Sequence, residues 1–346
     1  MKRVGIIGHF GYGKVCLDGQ TIKTHTLTQA LQNELGEAEV CTLDTYGGLK
    51  NIARIVCGTF NIFFKCRNII MFPAHNGLKL FVPLLKCLNY FFHRRLHYSV
   101  IGGWLPEYVQ KHCLIGKLLK SFDFIYVETK AMKSQLEEVG FKNSVVVPNF
   151  KNIDILSEEE LVYEHSKPFR LCTFSRVSKE KGIEDAIESV KAINTEIGEI
   201  ICTLDIYGKI DSDYELRFAQ LQKSFPEYIH YCGCVDANDS VNVLKNYYAL
   251  LFPTHSKTEG IPGTIVDALC AGIPTIAKEW NSISEIVIHN QTGIAYSSDD
   301  SMALAKVIHS ALDNREKINS MKVKCLHLAD SFSKRAALEV LLSNLI

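Results

Sequence analysis

The stretch Glu259-Gly260-Ile261-Pro262-Gly263-Thr264-Ile265-Val266-Asp267-Ala268-Leu269-Cys270-Ala271-Gly272-Ile273-Pro274 decides the fold. It follows an apolar, strand-like run, Ala249–Phe252, that stops at Pro253. A helix opening near Gly263 would end at Gly272, a residue suited to the left-handed position after a helix, with Pro274 just beyond. Glycines at its start let backbone approach a ligand. The first N–H groups of such a helix lack intrahelical acceptors and sit at its positive end, which suits a diphosphate. Glu259 precedes the helix and is expected to point into a ligand cleft. Asp267, on its first turns, can accept hydrogen bonds from ribose hydroxyls. Taken alone, the stretch also fits an ordinary strand–loop–helix with a capping acid.

Further strands are expected at Arg170–Phe174, Ile200–Tyr207, His230–Cys232 and Thr275–Ala277, with helices at Ile183–Ile193 and Ser240–Tyr247. The first half repeats the alternation, with strands expected at Arg3–Gly8, Glu39–Asp44, Asn68–Phe72, His97–Ile101, Phe124–Glu128 and Ser144–Val147. In its first helix Leu27, Leu31 and Leu35 recur every fourth residue. Two α/β, doubly wound parallel sheets are implied. Residues 1–160 form the first domain and 168–330 the second. The polar stretch 151–168 reads as a linker and 331–346 as a terminal helix crossing back to the first domain.

Composition agrees. The chain has 346 residues, 47% of them apolar, with 38 Lys or Arg balancing 38 Asp or Glu, so it can bury two cores and lacks the cationic excess of a nucleic-acid binder. Its 12 cysteines follow no disulfide or zinc spacing and read as free buried thiols. The apolar run Val4–Ile7 stops at Gly8, too short for a secretory signal, so a cytoplasmic location is expected. Charge is uneven, however. Thr45 to Pro106 holds no acid but eight Lys or Arg: Lys50, Arg54, Lys65, Arg67, Lys79, Lys86, Arg94 and Arg95. Within Leu78–Leu96, Lys79, Lys86 and His93 recur every seventh residue. That segment reads either as a sheet-covering helix with a solvated edge or as a surface drawn to anionic membrane.

Three further segments carry chemistry. In Phe174-Ser175-Arg176-Val177-Ser178-Lys179-Glu180-Lys181-Gly182, Arg176 and Lys181 flank a strand end, where parallel sheets place ligands. A guanidinium fork and an ammonium beside a helix N-terminus make a diphosphate site; a solvated basic loop is the alternative. Gly8-His9-Phe10-Gly11-Tyr12-Gly13 is a Gly-rich turn without the spacing of a dinucleotide fingerprint. Ile101-Gly102-Gly103-Trp104-Leu105-Pro106 is another. Asp211-Ser212-Asp213 matches a metal-holding D-x-D but reads better as a turn. His75 and His97, at strand ends, are either cleft-lining or buried and satisfied.

Together these segments resemble the retaining GT-B glycosyltransferases marked by an E-x7-E signature, the family 4-like group. The resemblance rests on the first Gly-rich loop, the R-x4-K pair Arg176 and Lys181, the strand end Tyr207-Gly208, the turn at Gly233, the Glu259–Gly272 block, and Glu285-Ile286-Val287 with Asn290-Gln291-Thr292-Gly293. Gly19-Gln20-Thr21-Ile22-Lys23-Thr24 and Ile101–Leu105 resemble bacterial surface-polysaccharide transferases, of capsule or O-antigen type. One departure is that the second signature acid is Asp267, a methylene shorter than Glu. The resemblance implies two Rossmann-like domains facing across a cleft, with catalytic roles for Glu259, Arg176 and Lys181. It implies donor contacts at Gly11, Gly13, Gly208, Val235, Gly263, Thr264, Ile265 and Asp267, and acceptor contacts at His75, Gly102 and Gly103. It implies a nucleotide-sugar donor, UDP-sugar favoured over GDP-sugar, with no cofactor and no metal. The acceptor it implies is a glycan; the acid-free stretch Thr45–Pro106 points further to a lipid-linked glycan and peripheral contact with anionic membrane, and the balanced net charge to no nucleic acid. A nucleotide-sugar epimerase, a silent nucleotide-sugar-binding subunit and a Rossmann dehydrogenase remain as alternatives, the last lacking its fingerprint.

Overall fold

The computed structural model describes residues 1–12, 19–151, 154–163, 166–297, 300 and 302–345, with Leu49 described by its backbone alone. The chain divides into two compact units, Met1–Asn152 with Ser333–Ile346, and Ile153–Phe332.

The first unit runs β1 (Lys2–Gly8), α1 (Gly19–Leu35), β2 (Val40–Asp44), α2 (Ile52–Lys65), β3 (Cys66–Met71), α3 (His75–Phe92), β4 (Arg95–Ser99), α4 (Leu105–Lys111), α5 (Cys113–Leu119), β5 (Phe124–Val127), α6 (Lys130–Glu138) and β6 (Ser144–Val146). All its strands pair in parallel, in the order β2-β1-β3-β4-β5-β6. Alternation along β1 sends Val4 and Ile6 into one core and Ile7 into the other. Gly5 lies under α2 so closely that a Cβ would meet Ile62 Cγ2 at 2.4 Å. The inner face of α1 is half threonine: Thr24 and Thr28 are buried, and each hydroxyl donates to the carbonyl four residues earlier, Gln20 O at 2.8 Å and Thr24 O at 2.7 Å.

The second unit runs β7 (Phe169–Phe174), α7 (Ile183–Ile197), β8 (Cys202–Tyr207), α8 (Glu215–Gln222), β9 (Ile229–Gly233), α9 (Ser240–Leu244), β10 (Ala249–Phe252), α10 (Gly263–Cys270), β11 (Thr275–Lys278), β12 (Gly293–Tyr296), α11 (Ala303–Asp313) and α12 (Arg315–Ala329). Its sheet is also parallel, in the order β12-β11-β10-β7-β8-β9. Ile183, Ala186, Ile187, Val190 and Ile193 bury one face of α7 at helical spacing. Finally α13 (Lys334–Ser343) buries Ala337, Leu338 and Leu341 beside Leu27 and Leu31 of α1, in the core of the first unit.

Several readings change. The stretch expected as a linker is built into the second unit: Leu156 N donates to Cys270 O at 3.0 Å, and buried Leu161 sits where a Cβ on Gly272 would be, 2.2 Å from its Cδ2. β12 was absent from the expected strands. Within α3 the seven-residue stripe breaks up, with Lys79 exposed, Lys86 half-buried and donating to Ser121 O at 3.4 Å, and His93 ending the helix at φ 51°. Among the described residues Cys57, Cys87, Cys113, Cys232 and Cys234 are free but exposed, so burial does not account for them; Cys16 lies outside those residues. No described helix is long and apolar enough to cross a membrane.

Candidate active site

Strand order in the second unit reverses between β7 and β10, and parallel sheets hold ligands at the carboxyl ends beside such a point. Two glycines let the loops there close in. A Cβ on Gly182, at φ 69°, would meet Pro253 O at 2.0 Å, and one on Gly208, at φ 130°, would meet Ser175 O at 1.8 Å. The loop after β7 is therefore zipped to the loop after β10, with His255 N donating to Glu180 O at 2.8 Å. This brings Lys181 onto Glu259, 78 residues away in sequence. Thr254 Oγ1 donates to the same carboxylate oxygen at 3.0 Å. The paired side chains are only 13% and 15% exposed, so their attraction is weakly screened.

Arg176 takes a different partner. Its guanidinium lies 2.9 Å from Asp211 Oδ2 and is half exposed. Asp211 opens a turn, with Tyr214 N donating to Asp211 O at 2.9 Å, so the D-x-D stretch is a turn in the structure. Asp211 and Asp213 line a cavity of about 600 Å³ together with Ser178, Lys179, Glu180, Tyr214 and His255. Among the described residues no cluster of three His, Cys, Asp or Glu could hold a metal.

Helix α10 follows Glu259. Pro262 is its N-cap and offers no side-chain cap, while Ile265 N and Val266 N both donate to Pro262 O, at 3.0 and 3.3 Å. The N–H groups of Gly263 and Thr264 therefore precede the first helical bond. Ile265 is buried, and Asp267 is 2% exposed one turn further in. Gly272 follows the helix at φ 64°. Val235 leaves β9 half-buried, before a turn in which Asn238 N donates to Asp236 Oδ1 at 2.9 Å.

In the first unit the Gly-rich turn is held by Asp44, whose carboxylate accepts N–H bonds from Phe10 at 2.9 Å, Tyr12 at 2.7 Å and Tyr46 at 2.8 Å. Gly11 sits at φ 82°; Gly13 lies outside the described residues. His75 opens α3, exposed, with its ring stacked 3.8 Å from that of Trp104. Partial burial holds its pKa below the ordinary value. Trp104 Nε1 donates to Ile101 O at 2.7 Å across Gly102 and Gly103, so His75 and both glycines share one packed loop cluster. His97 does not line a cleft. It lies within β4, fully buried between Tyr126 Oη at 2.9 Å and Asn68 Oδ1 at 3.2 Å, and burial pushes its pKa down to about 3.

Sequence reasoning missed four residues. Asp44 and Glu128 carried only the signal of an acid at a strand end, and Asp211 was set aside with its turn. Lys23 stood inside a quoted motif without a role; it reaches Glu128 at 2.6 Å and Val100 O at 2.8 Å, both ion-pair side chains nearly buried.

Residues 157–324 match the profile of the family Glycosyl transferases group 1. The chain is 27% identical over 226 residues to the UDP-N-acetylglucosamine--peptide N-acetylglucosaminyltransferase GtfA subunit of Streptococcus pneumoniae serotype 4, covering 63% of this chain and 44% of that one. It is 24% identical over 146 residues to the amylovoran biosynthesis glycosyltransferase AmsK of Erwinia amylovora, covering 41% and 35%. The chain thus spans under half the length of these curated relatives. In structure it is similar to Anabaena HepE, solved with UDP and glucose, at a TM-score of 0.75 and 15% identity, covering 99% of this chain and 98% of that one. The match to the glycosyl transferases group 1 profile lies within the second unit, on a chain with the GT-B fold of two doubly wound sheets.

Proposed function

We propose that the protein is a retaining glycosyltransferase, of hexosyltransferase type, that moves a sugar from a UDP-sugar to a hydroxyl of a glycan. The observation that carries this reading is the weakly exposed Lys181–Glu259 pair at the β7/β10 switch point, beside the uncapped start of α10. Lys181, Arg176 and the N–H groups of Gly263 and Thr264 take the donor diphosphate and stabilise its charge as it leaves. Glu259 contacts sugar hydroxyls and steadies positive charge developing on the ring. Attack comes from the front face, with the leaving phosphate helping to take the acceptor proton, so Glu259 is not a nucleophile. Gly208 and Val235 border the nucleotide, and Asp267 accepts from its ribose once its burial is opened. His75, Gly102 and Gly103 are assigned to the acceptor. UDP is favoured because HepE was solved with it, and a surface-polysaccharide precursor because AmsK is named an amylovoran biosynthesis glycosyltransferase. Such a precursor is lipid-linked, which suits an enzyme held at the inner face of the cytoplasmic membrane.

The test is donor hydrolysis across UDP-, GDP- and ADP-sugars, because transferases slowly hydrolyse their own donor. One UDP-sugar should yield UDP and free sugar of retained configuration. Isomerised nucleotide sugar without UDP release would make the protein an epimerase, and no turnover of any donor would remove the enzyme reading.

A further inference from the structure

Helices α2, α3 and α5 pack side by side on one face of the first sheet, and none of the three contains an Asp or Glu. Three of their cations are exposed: Lys65 ends α2, Lys79 lies on α3 and Lys117 on α5. Large apolar side chains lie among them. Phe60 is 43% exposed, Phe64 70%, Tyr90 78%, Phe91 72% and Leu114 68%. Single exposed apolar residues are ordinary, but here several are joined. The Phe64 ring lies 5.2 Å from that of Phe92, which joins the carboxyl ends of α2 and α3, and Tyr90 lies 5.2 Å from Phe91 as a second aromatic pair at the end of α3. Arg94 ties the α2–α3 junction, its guanidinium 5.9 Å from the Phe92 ring and its Nε donating to Phe63 O at 2.9 Å.

We propose that this face docks on an anionic lipid bilayer, with Phe64, Tyr90 and Phe91 entering the headgroup boundary and Lys65, Lys79 and Lys117 meeting anionic headgroups. Aromatic rings favour that boundary, and each basic side chain near it adds about 1 kcal/mol. A second copy is a poor occupant, because a two-fold contact sets the same patch against itself and brings cation to cation. The sheet's other face is built differently, with Glu34 of α1 facing Lys334 of α13 at 3.9 Å. Arg95 belongs to that side: it stacks over Phe124 at 5.8 Å and donates to Asn344 O at 3.4 Å, so it is no part of the docking face. The inference rests on first-unit residues alone and does not need the donor assignment.

The experiment is cosedimentation of the full chain with phosphatidylcholine vesicles, with and without phosphatidylglycerol, at low and high salt. Binding should require the anionic lipid and fall with salt. The variant Phe64→Ser/Tyr90→Ser/Phe91→Ser should lose about tenfold or more in partitioning, through lost apolar burial. Lys65→Gln/Lys79→Gln/Lys117→Gln should lose a similar factor and flatten the salt dependence. Thermal melts, and hydrolysis of whichever sugar nucleotide the donor panel identifies, are read on the same samples. Retained melting and hydrolysis with lost vesicle binding separates docking from the fold and from the donor site. If no donor is turned over, the vesicle result still stands. The proposal is overturned if wild type ignores anionic vesicles at low salt, binds neutral ones equally, or binds unchanged in the aromatic variant. It is equally overturned if the face instead drives concentration-dependent dimerisation.

Discussion

Both units fold as six parallel strands under two helical layers, yet they treat charge in opposite ways. Residues 1–150 hold 18 Lys or Arg against 10 Asp or Glu, leaving 20 against 28 for the rest of the chain. In the first unit Lys65, Lys79 and Lys117 are exposed on the acid-free helices α2, α3 and α5. In the second, Lys181 pairs with Glu259 and Arg176 with Asp211 near the switch point, and Arg170 with Asp205 at 3.0 Å at the amino end of β7. Strand order differs as well. The first sheet turns at β1, with β2 to one side and β3 to the other, whereas the second places three strands on each side of the β7/β10 junction. The difference teaches where chemistry is to be sought. Matched charges that are only partly exposed can exchange a carboxylate for a phosphate, while unmatched outward cations can only attract something large and anionic.

The sharpest way to break this comparison is Glu259→Gln. The amide keeps the shape and can still accept from Thr254, but the carboxylate charge is gone. Turnover of the donor should fall on the order of 10²–10³-fold, as for loss of one electrostatic stabiliser, while UDP binding and the fold persist. Full turnover in this variant would remove the pairing argument at its centre.

Lys322 is the exception in the second unit. It is 0% exposed on α12, and its Nζ has no hydrogen-bond partner among the described residues. Burial lowers its pKa from 10.5 to about 8, opposed only by the Cys325 thiol. Because the folded pKa lies below the unfolded one, the unfolded chain binds more protons between them. Stability contributed by this residue therefore rises as pH climbs from about 8 to 10.5, and the full cost is present below pH 8. Lys322→Met should stabilise the fold at neutral pH by about 3 kcal/mol in denaturant titration. Cys325, pushed up to about 12, works the other way at alkaline pH, so the decisive reading is the slope of wild type minus variant. An equal slope in both would mean that Lys322 finds a partner in solution.

A smaller effect separates the two cations of the site. Arg176→Ala and Lys181→Ala should each weaken UDP much more than uridine, by about tenfold, the scale of a charge-assisted hydrogen bond. Lys181→Ala should also lower the melting temperature, because it strands Glu259 in a poorly exposed place; Arg176, half exposed, should not. Equal losses for UDP and uridine in calorimetry would place the pair away from a diphosphate.

How much of this was legible depended on how local each signal was. Strand positions were readable because runs such as Ala249–Phe252 are short, apolar and ended by Pro253. β12 was not, being four residues at a sheet edge whose first residue, Gly293, packs so tightly that a Cβ would meet Thr275 O at 2.1 Å. The polar residues Glu158–Glu160 concealed the apolar contacts of Ile155, Leu156 and Leu161 that tie the stretch down. His97 was placed at a strand end, but β4 starts at Arg95, which moves it inside the sheet. Lys181 and Glu259 were each legible from their own motifs, whereas their meeting was not. It depends on Gly182 closing onto Pro253 O, a contact between loops about 70 residues apart that no local pattern encodes. Asp211 was passed over for a related reason: its metal-motif company explained it well enough to hide its partner, Arg176.

That partner supplies the finest test of the comparison. In the ligand-free protein Asp211 holds Arg176 at 2.9 Å, so a donor diphosphate has to draw the guanidinium away from a carboxylate. With Arg176 half exposed the pair is screened and worth about 0–1 kcal/mol, so the competition is mild. Asp211→Asn should then tighten UDP about two- to fourfold, with uridine unchanged, because only the phosphate end of the ligand competes. The turn itself should survive, since Tyr214 N bonds the Asp211 backbone carbonyl rather than its side chain. Weaker UDP binding in the variant would reverse the interpretation: Asp211 would be positioning Arg176 for the phosphate rather than withholding it. The matched charges of the second unit would then be scaffolding for the site rather than occupants that the ligand displaces.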